Sequence, residues 1–402
     1  MLRTACVAVA FHSSKMVAKY DRLGVLKGLL RVLLSPWISS KLWYVNDVVG
    51  RIRLDGGVLG SGGFGTCVSA SRLRPGSDTP ENIVLKLQSS KADNSVFDEE
   101  LRILDHLHSQ PDAPGAQRIV KPIGAFKNAW IGRGIAFERL GKDLDAIARE
   151  TPRFSLTNIR DITRDILEAL EHCHSRGIVH SDIKPANIVI SNPDTLSRDS
   201  STRMLINPRV KLIDFGIACK VTEERWGLDG TSAFMSPEII LLNSRGVQSD
   251  MWSLAVTIYL LRSKKSLFER LRCHRGSQLL MMEMVTGEEI PQDMMRIAKE
   301  DSRRCEYVVQ GSDGQFKVTE RILGKALRRM EGLPPNARDL ITADTAQHEV
   351  TRAKSLADLL VKMMHIDPNK RVSAKVALKS QLFKTEKSVV DVTPVVPQAS
   401  AS

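Results

Sequence analysis

An α+β fold is predicted by three observations. From about residue 52 the chain runs in β-type segments broken by a glycine-rich turn, with a further apolar strand at Ile83 to Lys86. Phe97 to Leu107 has helical character. Further along, Asn158 to Ser175 places Ile159, Ile162, Ile166, Leu170 and Cys173 at helical spacing, which predicts a buried helix.

The chain has 402 residues, 42% of them hydrophobic and 26% charged, with 17 Pro and 26 Gly. Such a composition buries a sizeable core and excludes wholesale disorder and a fibrous architecture. The length allows two or three domain-sized units. Formal charge is +12, from 58 Lys+Arg against 46 Asp+Glu. Residues 1–46 hold seven basic side chains and one acidic, so half of the excess sits in a short leading segment. The remainder is only mildly basic, and no dedicated nucleic-acid surface is inferred.

Within that leading segment, Leu23 to Leu34 is apolar but interrupted by Lys27 and Arg31, and it is shorter than the roughly 20 residues that span a bilayer. On a helical wheel Gly24, Lys27, Gly28, Arg31 and Ser35 share one face, leucines and valines fill the rest, and Pro36 ends the helix. Three readings stay open: an organelle-targeting presequence, an interfacial helix touching a membrane through residues 23–35, or a helix packed on the domain that follows. The six cysteines form no CxxC pair, so neither a zinc ribbon nor a disulfide framework is expected, and a reducing, intracellular compartment is.

Val58 to Ala70 contains Gly60, Gly62 and Gly65, interleaved with Ser61, Gly63 and Phe64. Glycines at this spacing let a backbone bend closely over a phosphate chain. A dinucleotide-binding turn would open a helix here, but Thr66 to Ala70 continues as a β-type run, which favours a glycine-rich hairpin. Lys86 ends the next strand, and the spacing Glu-x-x-Ile-Leu selects Glu100 over Glu99 as its partner on the helix. Farther on, Asp182 is followed by Lys184 and Asn187, and a second carboxylate, Asp214, follows an apolar strand. Two carboxylates, a lysine and an amide in this order are the equipment of metal-assisted phosphoryl transfer.

Together these segments resemble the eukaryotic protein kinase family over about residues 52–384. The resemblance implies a bilobal fold: a small β-rich N-lobe with one regulatory helix, placed at residues 47–140, and a larger α-helical C-lobe at 141–384. It implies ATP and Mg²⁺ as cofactors and a protein substrate with a Ser or Thr acceptor. Gly60 to Gly65 correspond to the phosphate-covering loop, and Cys67, Val68 and Val84 to walls of the adenine pocket. Lys86 and Glu100 match the strand lysine and its helix partner, Asp182 the catalytic base, and Lys184 the lysine that neutralises the transferring group. Asn187 and Asp214 match the metal ligands. The hinge falls at Phe137 to Gly141, with Phe137 as gatekeeper and the backbone of Glu138 and Leu140 facing adenine, and Asp143 is matched to a ribose-binding acid. Glu238 is expected to pair with Arg371, and Asp250 to anchor the catalytic loop.

Two departures shape the expectations. Ser181 replaces the arginine that commonly precedes the catalytic aspartate and receives an activation-segment phosphate, which favours an enzyme active without that switch. Ser277 to Met295 is similar to the insert of the CMGC group, in its CLK, SR-protein, DYRK-like and pre-mRNA-processing members, and the enlarged C-lobe insert spans about 262–351. Lys184 within Asp-Ile-Lys-Pro-Ala-Asn is similar to the Ser/Thr branch. The competing class is a pseudokinase scaffold, which usually lacks the lysine, the base or a metal ligand. Residues 385–402 read as a disordered tail.

Overall fold

In the computed structural model the residues described are 44–384, except 47–48, 64, 90–93, 129–131, 152–153, 192–196, 199–204, 224–229, 243, 269–274 and 320–349. The basic leading segment up to residue 43, Phe64 and the tail from 385 therefore lie outside the described residues. No helix among the described residues is long and apolar enough to cross a membrane.

The first part is an antiparallel sheet with one helix. Its elements are β1 (Tyr44–Asn46), β2 (Gly50–Ser61), β3 (Gly65–Leu73), β4 (Glu81–Gln88), α1 (Asn94–Leu107), β5 (Pro122–Asn128) and β6 (Gly132–Glu138), in the order β1-β2-β3-β4-β6-β5. Period-two alternation divides β4 cleanly. Ile83, Leu85 and Leu87 are buried with Val68, Ala70 and Ile52 in a small core on one face, and Val84 and Lys86 take the other face. Gly65 is required where β3 crosses β4: a Cβ there would lie 2.3 Å from the Leu87 carbonyl oxygen.

The second part is helical, with short strands between. It comprises α2 (Leu144–Glu150), α3 (Leu156–Ser175), β7 (Ile178–Val179), β8 (Ile188–Ile190), β9 (Ser197–Arg198), β10 (Leu205–Ile206), β11 (Val210–Leu212), β12 (Cys219–Lys220), α4 (Pro237–Leu242) and α5 (Val247–Ser263). After them come α6 (Arg275–Thr286), α7 (Gln292–Glu300), β13 (Val308–Gln310), β14 (Phe316–Val318), α8 (Val350–Met363) and α9 (Ala374–Ala377). Helix α3 begins where the Ser155 hydroxyl accepts from the Asn158 N–H at 3.0 Å, and Ile159, Ile162, Ile166, Leu170 and Cys173 are all fully buried along it. Helix α5 is buried on nearly every side, as its apolar sequence from Met251 to Leu261 demands.

Two buried ion contacts fix the C-lobe around the cleft. Arg371 donates to Glu238 at 2.7 Å and to the Gln248 carbonyl at 2.7 Å, joining α4, the start of α5 and the segment before α9. The carboxylate of Asp250 on α5 accepts the backbone N–H groups of His180 and Ser181, both at 2.9 Å. The enlarged region adds α6, α7 and the β13–β14 hairpin, which Gln292 ties down through two bonds to the Phe316 backbone. His172, Cys173 and His174 diverge: His172 bonds the Leu107 carbonyl, Cys173 enters the core and His174 meets Asp250.

Candidate active site

The loop between β7 and β8 carries the first half of the site. Ser181 sits in the left-handed region at φ 71, directly after the two consecutive N–H groups, of His180 and Ser181 itself, that Asp250 holds. Asp182 follows, and both of its carboxylate oxygens are engaged. Oδ2 accepts from Lys184 Nζ at 2.6 Å and from Asn187 Nδ2 at 3.0 Å, while Oδ1 accepts from Thr231 Oγ1 at 3.0 Å. Lys184 Nζ also donates to Thr231 Oγ1 at 3.0 Å, so a residue of the later segment closes the constellation.

The second half faces it from the sheet. Lys86 Nζ lies 2.7 Å from both oxygens of Glu100 and 2.7 Å from Asp214 Oδ1. Burial opposes the Lys86 charge, but the two carboxylates outweigh it and hold its pKa above the ordinary lysine value. Burial raises the Glu100 pKa despite the neighbouring ammonium. For Asp214 burial also pushes upward, and Lys86 outweighs it, so the carboxyl stays below its usual range and ionised. Asp214 adopts φ 64, which swings its carboxylate back to Lys86 while Phe215 turns into the core against the His180 ring, with centroids 4.7 Å apart. Gly216 permits this turn to pass close to the cluster, since a Cβ there would meet Asp214 Oδ1 at 3.3 Å and Lys86 Nζ at 3.4 Å.

The floor of the cleft follows from strand register. Cys67 pairs with Lys86, Val84 with Phe137 and Lys86 with Ile135, so Cys67, Val84, Ile135 and Phe137 share the face of Lys86. Val68 does not. It pairs with Leu85 on the opposite face and is 3% exposed within the sheet's own core, so its assignment to the nucleotide pocket is corrected: adjacent strand residues cannot both face the cleft. Burial pushes the Cys67 thiol up to about 11, making it a packing thiol rather than a nucleophile at neutral pH.

At the hinge, Leu140 is buried, and the Glu138 side chain accepts from the Lys121 N–H at 2.7 Å and Lys211 Nζ at 2.6 Å. Lys211 on β11 thereby ties the hinge to the strand leading to Asp214, a role with no local signature in the sequence. Asp143 stands at the start of α2, where Oδ1 accepts the Ala146 N–H at 2.8 Å, and helix capping accounts for it locally.

The residues fit a magnesium nucleotide. At Gly60, Gly62 and Gly63 a Cβ would meet nothing within 4 Å, so these glycines border open space rather than packed protein. Asn187 commits Nδ2 to Asp182, leaving its Oδ1 as the atom to offer a cation beside the partly exposed carboxylate of Asp214. Among the described residues no cluster of three or more His, Cys, Asp or Glu could hold a metal by itself. An amide and one or two carboxylates that share the ion with phosphates suit Mg²⁺.

A sheet with one helix, facing a helical lobe across a cleft with this lysine, glutamate and aspartate arrangement, defines the protein-kinase fold. Residues 54–383 match the family described as protein kinase domain, and the chain belongs to that family. Its fold is similar to the crystal structure of the PF14_0431 kinase domain, with a TM-score of 0.68 at 22% identity, covering 86% of this chain and 99% of that one. Among curated relatives it is 26% identical to the dual specificity protein kinase CLK1 of Mus musculus over 342 residues, 81% of this chain and 64% of that protein. It is 29% identical to the serine/threonine-protein kinase AFC2 of Arabidopsis thaliana over 264 residues, 62% of this chain and 58% of that protein. The chain spans 25% of the serine/threonine-protein kinase GL21140 of Drosophila persimilis, at 28% identity over 204 residues. The chain thus spans between a quarter and just under two thirds of the length of these relatives, which are named as serine/threonine or dual specificity kinases.

Proposed function

We propose that this chain is an active protein serine/threonine kinase, transferring the γ-phosphoryl group of Mg-ATP to hydroxyls of protein substrates. The observation that carries this reading is the engagement of Asp182: Lys184 and Asn187 hold one carboxylate oxygen and Thr231 the other. Hydrogen-bond donors on both oxygens fix the carboxylate in one orientation, as a proton acceptor for an incoming hydroxyl needs.

Each remaining residue has a task in that chemistry. Bound Mg²⁺ supplies charge neutralisation and orientation of the phosphate oxygens. Asn187 and Asp214, at the same end of the paired strands β8 and β11, would hold it. Lys86, kept charged and aimed by Glu100, would bind the phosphate oxygens that stay with the leaving nucleotide. Lys184, already beside Asp182, would counter the charge on the transferring group and fix the acceptor hydroxyl between base and phosphorus. The loop from Gly60 to Gly65 would cover the phosphates and exclude water, while Val84 and Phe137 form an apolar floor for the base. Asp182 takes the hydroxyl proton as the new O–P bond forms and the bond from the γ-phosphorus to the β,γ-bridging oxygen breaks, ADP departing as the leaving group.

A binding-only scaffold would have no use for this full set. The direct test is transfer of labelled γ-phosphate into a mixed Ser, Thr and Tyr peptide library by the full chain, with Asp182→Asn as control. Labelling of Ser and Thr peptides that Asp182→Asn reduces by about 10²-fold or more supports the reading; no labelling above the control overturns it.

A further inference from the structure

Outside the cleft, one face of α1 borders a groove of about 570 Å³. Glu99, Arg102, Ile103 and His106 line it, four positions whose three- and four-residue spacing puts them on one side of the helix. The opposite wall is the ribbon formed by β7 and β12 with the turn before it, where Lys220 pairs with Ile178 and the Val221 N–H donates to the Gly177 carbonyl at 2.8 Å.

The chemistry of this groove is lopsided. Ile103 and Ile178 are buried beneath it, and Val221 stands 48% exposed, leaving an apolar floor with one side chain in the open. Around that floor are three cations, Arg102, Arg176 and Lys220, against two carboxylates, Glu99 at 2.7 Å from Arg102 and Glu223 at 4.0 Å from Lys220. The side chains of Arg102 and Lys220 are 67% and 59% exposed, so their charges are offered to the surroundings.

We propose that this groove docks an acidic peptide segment of a partner protein, with one apolar side chain anchored on Val221 between Ile103 and Ile178. Charge complementarity selects the acidic partner: cations outnumber carboxylates around the groove, and Arg176 has no carboxylate partner of its own among the described groove residues, so a basic segment would be repelled and an acidic one drawn in. The site also has leverage on the cleft. Glu99 is adjacent to Glu100, and Lys220 lies six residues after Asp214 in the same chain segment. A ligand bridging Arg102 and Lys220 therefore ties the helix bearing Glu100 to the segment bearing Asp214, and it favours the arrangement in which both bond Lys86. The docking stands on the groove alone; its effect on rate rests on the phosphotransfer proposed above.

The test uses the full chain and a fluorescein-labelled peptide of sequence Asp-Glu-Phe-Glu-Asp, read by fluorescence anisotropy, with peptide phosphorylation assayed in parallel. Expected are saturable binding that weakens as salt rises, a loss of about tenfold or more in Arg102→Glu and in Lys220→Glu, and a similar loss when the peptide's Phe is replaced by Ser. Both variants change exposed side chains, and unchanged thermal melts would show that they fold. Equal binding by the variants, or by the Phe-less peptide, overturns the proposal. Tighter peptide binding after removal of residues 385–402 would make the chain's own tail the occupant and overturn the partner assignment. Binding with the expected pattern but no phosphotransfer under any condition would leave the groove standing and refute the catalytic reading.

Discussion

Lys86 on β4 holds both carboxylate oxygens of Glu100 on α1 at 2.7 Å, with the glutamate side chain 1% exposed. A pair this deeply buried is strongly coupled, because removing one member leaves the other uncompensated. Lys86→Met should abolish measurable phosphotransfer and lower stability by about 3 kcal/mol, moderated by the ease with which Glu100 takes up a proton. The double variant Lys86→Met, Glu100→Leu should recover most of the thermal stability and none of the activity. Melting temperatures and a γ-phosphate transfer assay on the same preparations separate the two roles; a double variant no more stable than the single one would contradict this account.

The Arg371–Glu238 pair makes the analogous structural prediction far from the cleft. The Arg371 side chain is fully buried and also donates to the carbonyls of His365 and Gln248. Arg371→Ala should destabilise the fold by about 3–5 kcal/mol, seen as a lower denaturant midpoint with unchanged m-value. Any loss of activity should follow the fraction unfolded rather than a change in KM.

How much of this was legible in the sequence depends on whether a relationship is local. Glu100 could be chosen over Glu99 because helical spacing around Ile103 and Leu104 is written within one turn, and the constellation of Asp182, Lys184 and Asn187 lies within six residues. Val68 was misplaced because its face depends on how β3 pairs with β2 and β4. The β2–β3 ladder shifts register twice, between Leu54 and Val58 and between Val58 and Gly60, so facing cannot be counted from the glycines. The Lys211–Glu138 tie spans 73 residues and leaves no periodic trace, whereas the Arg371–Glu238 pair, 133 residues apart, was expected through the family resemblance alone and is formed. The groove beside α1 is assembled from three segments, each of which reads as an ordinary solvated surface by itself.

The Cys67 thiol offers a test through pH. Burial pushes its pKa up to about 11, with Lys86 opposing and Asp214 and Glu100 adding to the rise. The reactive thiolate is therefore scarce at pH 7.5, and its fraction rises about tenfold per pH unit until the pKa is reached. Alkylation of Cys67 by iodoacetamide, followed by mass spectrometry of its peptide, should be slow at pH 7.5 and accelerate in that proportion while the fold stays intact. A rate already at its plateau at pH 8 would mean a lowered pKa.

Ser181 leads to the last prediction. Its hydroxyl lies 3.9 Å from the Cys219 sulfur, both side chains are buried, and its backbone N–H is held by Asp250. An arginine at this position would extend a guanidinium toward the segment after Asp214; serine cannot, so a phosphate on that segment gains no cation from position 181. The catalytic loop is instead held by Asp250 and by Thr231, whose bonds to Asp182 and Lys184 involve no phosphate. Thr222→Ala and Ser232→Ala should each retain most of the phosphotransfer rate, within about threefold of the parent, a barrier change under about 1 kcal/mol. Thr231→Ala should lose substantially more, because it removes a donor to Asp182 and an acceptor for Lys184, and Thr231→Ser should restore much of the rate. A loss of about 100-fold in Thr222→Ala or Ser232→Ala would mean that phosphorylation of this segment switches the enzyme after all, through a cation other than one at position 181.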